Sequence, residues 1–209
     1  MLDLASQVNS ALTNPNAVPW LPELTSKLAG IGWDALRDVG ITINDYSTSR
    51  VLSDKACAPQ NIIAHLPTFP GAEGANSTIC LESLPADLAH HYHKAGISFY
   101  TPDEIKDTKV LSCLEDATSI LNRVPTLMPT VATLVRALHL IKSEDDDYDV
   151  SFSEPDIPFS IFVSVPKRCV AIDALRVAEA IVHEAMHLQL TLIGQSIPLI
   201  ISTSQQYYS

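Results

Sequence analysis

Phe159-Ser160-Ile161-Phe162-Val163-Ser164-Val165, set between Pro158 and Pro166, alternates with period two, and a few residues later the run from Ala171 to Ile193 holds neither Pro nor Gly. The first segment reads as a strand. Phe159, Ile161, Val163 and Val165 lie on one face, and Ser160, Phe162 and Ser164 on the other. The second reads as a helix closed by Gly194, with Pro198 beyond it. A strand that feeds directly into a long helix, with further helical stretches upstream, places the chain in the α+β class. The expected fold is mostly helical, several helices packed on a small sheet, with the helix at 171–193 buried near the C-terminus.

That helix carries His183-Glu184-Ala185-Met186-His187. Imidazoles four residues apart lie on one side of a helix and can grip a single metal ion, and the carboxylate between them supplies a base or a partner to the ligands. With Arg176 at zero and steps of about 100°, Glu179 falls near −60°, His183 near −20°, His187 near +20°, Asp173 and Thr191 near +60° and Glu184 near +80°. The ionisable residues thus share one arc of about 140°, and Val177, Ala178, Ile181, Ala185 and Leu188 lie outside it. A helix sunk in the core with one polar window is the expectation, and buried imidazoles in that window need partners. His183 and His187 are the candidate metal ligands and Glu184 the candidate catalytic carboxylate. The plainer alternative is that both imidazoles only hydrogen-bond to Glu179 and a neighbouring strand.

Outward from this core, residues 1–40 read as helical between Pro15, Pro19 and Pro22, the best segment running from Pro22 to Val39 and ending at Gly40. Short apolar runs at Asn61–His65 and Thr78–Leu81 read as strands. Asp87–Lys94 forms a short helix closed by Gly96, and Thr101-Pro102-Asp103-Glu104 starts a helix expected to reach Arg123. Val131–Lys142 reads as another helix, with Leu134, Leu138 and Ile141 on one face. Glu144–Asp149 is an acidic run, read as a solvated connection rather than a cation site. One domain is expected over 1–209, with 1–100 a helical and loop scaffold and 101–209 the helices, strand and motif. His90, His91 and His93 read as a surface helix end, and His65 and His139 as lone histidines.

Composition narrows the function. Thirteen Lys plus Arg stand against 24 Asp plus Glu, a net charge of −11, and no basic cluster occurs. Nucleic acid and anionic membrane are therefore not expected as partners. Met1-Leu2-Asp3-Leu4 opens no secretory signal, no run is long enough to span a bilayer, and a cytoplasmic protein is expected. Cys57, Cys80, Cys113 and Cys169 have no paired spacing and read as reduced thiols.

A zinc peptidase of the ordinary kind takes a third ligand C-terminal to the second His, yet residues 188–209 contain no His, Asp, Glu or Cys. The third ligand then comes from upstream, from a second chain, or is absent. Arg176, two turns before His183 on the same face, is the one residue nominated to clamp a carboxylate cosubstrate. A strand beside a metal helix is also a place to hold an extended peptide, which makes Ser160, Phe162 and Ser164 candidates for substrate binding.

The segments Ser151-Phe152-Ser153-Glu154-Pro155, Phe162-Val163-Ser164-Val165-Pro166 and Ala178 through Leu190 resemble the HExxH-motif domain family found with ribosomally made, modified peptides. The resemblance covers about a quarter of the chain. It implies an iron(II) and 2-oxoglutarate dependent peptide β-hydroxylase, with His183 and His187 as iron ligands and Glu184 beside them or assisting proton transfer. Family members continue into a segment with another His and an Arg, whereas this sequence stops at Ser209, so a folded but catalytically incomplete unit is expected. A partner chain or a C-terminal segment is then required. Two alternatives stand beside this reading: a zinc metallopeptidase with an upstream ligand, and a non-catalytic protein that binds a peptide or a partner.

Overall fold

The computed structural model describes residues 6, 22–43, 46–48, 51, 62–66, 79–106, 108–143, 149–167 and 169–196. In chain order the elements are α1 (Pro22–Asp38), β1 (Ile62–Leu66), β2 (Ile79–Glu82), α2 (Ala86–Lys94), α3 (Pro102–Ile105), α4 (Thr108–Asn122), α5 (Leu127–Leu134), β3 (Ala137–Lys142), β4 (Ser151–Phe152), β5 (Ser160–Val165) and α6 (Ala171–Ser196). The chain is α+β, with helices packed on one mixed sheet. No helix among the described residues is long and apolar enough to cross a membrane. Cys57 and the acidic run Glu144–Tyr148 lie outside the described residues.

The strand order is β1-β2-β3-β5-β4. β2, β3 and β5 run parallel, and β1 and β4 are antiparallel strands at the two edges. Register assigns the faces. Leu138 pairs with Ile161 and Leu140 with Val163, and these side chains join the main core with α1, α4, α5 and α6. His139 pairs with Phe162 and Ile141 with Ser164. Phe162 and Ile141 close a smaller core with Tyr92 of α2, Phe99 and Phe152.

Two features of local chemistry explain element ends. Thr101 caps α3 through a reciprocal box, its hydroxyl taking the Glu104 N–H while the Glu104 carboxylate takes the Thr101 N–H at 2.8 Å. Gly40 and Gly96 follow α1 and α2 with φ of +82° and +84°, the left-handed turn that glycine adopts without a Cβ penalty. Gly32 serves a different end: a Cβ there would lie 2.8 Å from the Phe159 ring and 2.9 Å from a Leu192 methyl, so a larger residue would have to displace these side chains where α1 approaches α6.

Four sequence expectations are corrected. The helix expected over Val131–Lys142 ends at Leu134, and Ala137–Lys142 is a central strand. A strand covered on both faces is a continuous apolar run that periodicity does not separate from a helix. Leu138 and Ile141, which helical spacing put on one face, in fact point to opposite sides of the sheet. The helix expected from Thr101 to Arg123 is two, α3 and α4.

The third correction concerns α6, which is half-buried rather than sunk. Ile172, Leu175 and Leu190 are 53%, 49% and 48% exposed. The helix is rolled so that its polar arc straddles the protein boundary: Glu184 and Asp173 go in, while His183, His187 and Glu179 face out. Lastly, Cys113 and Cys169, expected as reduced thiols, form a disulfide with Cα atoms 5.7 Å apart. Their separation of 56 residues hides the pairing, which the packing of α4 against α6 creates.

Candidate metal centre

Position along α6 brings the two motif imidazoles together. The Nε2 atoms of His183 and His187 are 3.0 Å apart, and the rings meet edge to face with centroids 4.6 Å apart. His187 sits where Thr191 back-bonds to its carbonyl at 3.0 Å. The contact is a hydrogen bond between the two rings, and two imidazole nitrogens this close would be near enough to share one divalent ion. The donor set therefore fits a divalent transition metal, with the imidazole pair supplying two positions.

Glu184 is held differently. Its side chain is 3% exposed against 61% for His183, and its Oε1 lies 4.0 Å from His183 Nε2. The hydroxyl of Ser151 donates to the same Oε1 at 2.6 Å. A buried carboxylate needs such a donor, and Ser151 comes from β4, so one hydrogen bond ties the motif helix to the sheet edge. Sequence reading missed Ser151 because its partnership with Glu184 spans 33 residues and leaves no local pattern.

β4 is the outermost strand on this side. Ser164 N–H donates to Val150 C=O at 2.8 Å, and Val150 N–H donates to the Ser164 hydroxyl at 2.9 Å, so the backbone of Val150 turns inward to β5. Alternation then turns the N–H and C=O of Ser151 outward. No strand among the described residues pairs with that side of β4. The residue that fixes Glu184 by its side chain thus presents its backbone to the side of β4 that no described strand covers.

The candidate substrate residues are not at that edge. β5 lies between β3 and β4, and Ser160, Phe162 and Ser164 are 0%, 0% and 6% exposed. Phe162 is stacked between Phe152 and His139, with centroids at 4.5 Å and 4.8 Å. Ser164 is used by Val150. Ser160 meets the Tyr46 hydroxyl at 2.8 Å and the Thr48 hydroxyl at 3.0 Å. A peptide cannot reach this face. Among the described residues the edge strand on this side is β4, not β5.

Arg176 is half-buried, with its Nε 3.8 Å from Asp149 Oδ2. Seven residues separate it from His183, about 10 Å along the helix axis, so it flanks the imidazole pair without joining it. His90, His91 and His93 are exposed on α2 while Tyr92 points inward. The side chain of His65 lies outside the described residues. Beyond His187, Leu188, Thr191 and Leu192 border a surface cleft of about 280 Å³, open solvent included, whose other wall is Pro155, Pro158 and Phe159.

A second polar cluster lies inside the sheet, where His139 is fully buried. The Thr48 hydroxyl meets His139 Nε2 at 2.8 Å, and His139 Nδ1 lies 3.1 Å from the Glu82 carbonyl. Glu82 Oε2 accepts the Thr48 N–H at 3.0 Å, while Oε1 has no partner among the described residues. Burial pushes the Glu82 carboxyl up to about 7 and the His139 imidazole down to about 4. His139 is a core histidine rather than a ligand.

Among the described residues no group of three His, Cys, Asp or Glu is placed to hold a metal ion. No protein-family model matches the chain. No curated protein matches it either.

Proposed function

We propose that this chain is a metal-dependent peptide-modifying enzyme in which His183 and His187 hold iron(II), acting with 2-oxoglutarate to hydroxylate a peptide side chain, at the β-carbon by the family resemblance. The 3.0 Å separation of the two Nε2 atoms carries the reading. Two imidazole nitrogens this close on one helix face suit iron(II) and zinc alike, and the family resemblance is what favours iron(II). The segments that resemble the HExxH-motif domain family include Ser151, the motif and the strand before it. Iron(II) with 2-oxoglutarate supplies the oxidation of an unactivated C–H bond by O2.

The chain's own residues have narrower tasks. His183 and His187 bind and orient the ion. Glu184, fixed by Ser151, presents a carboxylate 4.0 Å from His183 Nε2 that would orient the imidazole or hold a proton beside it. The outward N–H and C=O of Ser151 offer an extended peptide a strand to pair with beside the ion. A third ligand comes from residues outside those described or from a second chain. The compartment we propose is the cytoplasm, where peptides are made.

One observation favours a second reading, zinc-dependent hydrolysis. A buried carboxylate one residue after the first ligand, locked by a 2.6 Å hydrogen bond, is placed as a general base for water. Anaerobic purification with metal analysis, then assay of the iron-loaded and zinc-loaded forms on a peptide panel, separates the two. Consumption of 2-oxoglutarate with a gain of one oxygen in the peptide supports the proposal. Cleavage by the zinc form, with no 2-oxoglutarate consumed by the iron form, overturns it.

A further inference from the structure

The entry to α6 is built unlike the rest of it. Val170, Ile172 and Leu175 are 59%, 53% and 49% exposed, so within the first turn the apolar packing rests on Ala174, which is 2% exposed in the main core. Two further links hold it. The Asp173 carboxylate accepts the Val170 N–H at 2.8 Å, and Cys169, the residue before Val170, is joined to Cys113. The two sulfurs sit in different surroundings. Cys113 is fully buried in α4, whereas Cys169 is only half-buried, its sulfur contacting the Val170 carbonyl at 3.7 Å on the exposed side. The Cα separation of 5.7 Å is an ordinary one for a disulfide.

We propose that Cys113–Cys169 is a reversible redox clasp that sets the order of the first turn of α6, independently of which metal the helix binds. Accessibility gives the exchange a direction. A thiolate of a dithiol reductant attacks the Cys169 sulfur, forming a mixed disulfide there. Cys113 departs as a thiolate and takes up a proton. The second thiol of the reductant then displaces Cys169, and the reductant leaves as its own disulfide. Two electrons pass to the protein, and the two cysteines end with one proton each. A small-molecule disulfide such as oxidised glutathione runs the sequence in reverse. Reduced, the first turn keeps the Asp173 contact and the packing of Ala174 but loses its tie to α4, and it opens more often; oxidised, it is fastened to the core of α4.

The test uses the full 209-residue chain in buffers of oxidised or reduced glutathione. Peptide mapping follows the Cys113–Cys169 cross-link, and hydrogen exchange follows the amides of residues 172–177. The cross-link is expected in the oxidised buffer and absent in the reduced one, with exchange at these amides about tenfold faster on reduction. Cys169→Ser, at a partly exposed site, is expected to exchange at the fast rate in both buffers. Absence of the cross-link under oxidising conditions overturns the proposal. So does equal exchange of the first turn in the two buffers, whether or not the protein turns over a peptide.

Discussion

Replacing Glu82 by Gln is expected to expose a pH dependence that the native chain conceals. Burial raises the Glu82 carboxyl from its ordinary 4.5 to about 7, and lowers the fully buried His139 imidazole from 6.5 to about 4. Each is a displacement of about 2.5 pH units, worth roughly 3 kcal/mol at 1.36 kcal/mol per unit. The signs oppose. Folded Glu82 holds its proton more tightly than the unfolded chain does, so its contribution is present at low pH and lost as pH rises from 4.5 to 7. Folded His139 refuses a proton that the unfolded chain accepts, so its contribution is present at high pH and lost as pH falls from 6.5 to 4. Summed, the two terms vary by less than about 1 kcal/mol between pH 4 and 8. Glu82→Gln removes one of them. Its melting temperature minus that of the native chain should increase by about 3 kcal/mol equivalent from pH 4.5 to 7, or roughly 6–12 °C for a chain of this size. Thermal melts followed by circular dichroism across pH 4–8 measure this, and taking the difference cancels every other carboxylate. A difference that stays constant over that range would falsify the assignment of a buried, protonated Glu82.

Three further outcomes are expected. His183→Ala or His187→Ala should abolish stoichiometric iron or zinc binding while shifting metal-free stability by no more than about 0.5 kcal/mol, because both rings are exposed; retention of metal by both variants places the site elsewhere. Ser151→Ala strips the buried Glu184 of its donor and should cost about 1–3 kcal/mol in urea unfolding, with Ser151→Thr recovering most of it. A loss below about 0.5 kcal/mol would mean that Glu184 finds water instead. Thr101→Ala breaks the box that caps α3, for a loss of about 1 kcal/mol that should leave metal content untouched.

What could be read along the chain was whatever depends on neighbours in sequence. The period of two at Ser160–Val165, the Thr101 cap with Glu104, the glycines after α1 and α2, and the His183 and His187 pair on one helical line all follow from spacing, and each stands in the structure. Where two periods compete, spacing failed. Ala137–Lys142 is covered on both faces by neighbouring layers, His139 included, and that burial blurs the alternation that marks a strand. The candidate site was legible only as its two imidazoles. Which strand lies at the open edge, that Ser151 locks Glu184, that Ser160 and Phe162 are buried, and that Cys113 meets Cys169 are facts of sheet order and helix packing. Helical arithmetic also places the polar arc of α6 without saying how the helix is rolled against its neighbours. That roll is decided by packing against β5, α4 and α1, where Gly32 lets α1 approach Leu192. Glu184 is buried and the imidazoles exposed for this reason: contacts between residues far apart in the chain choose which side of a helix loses its water.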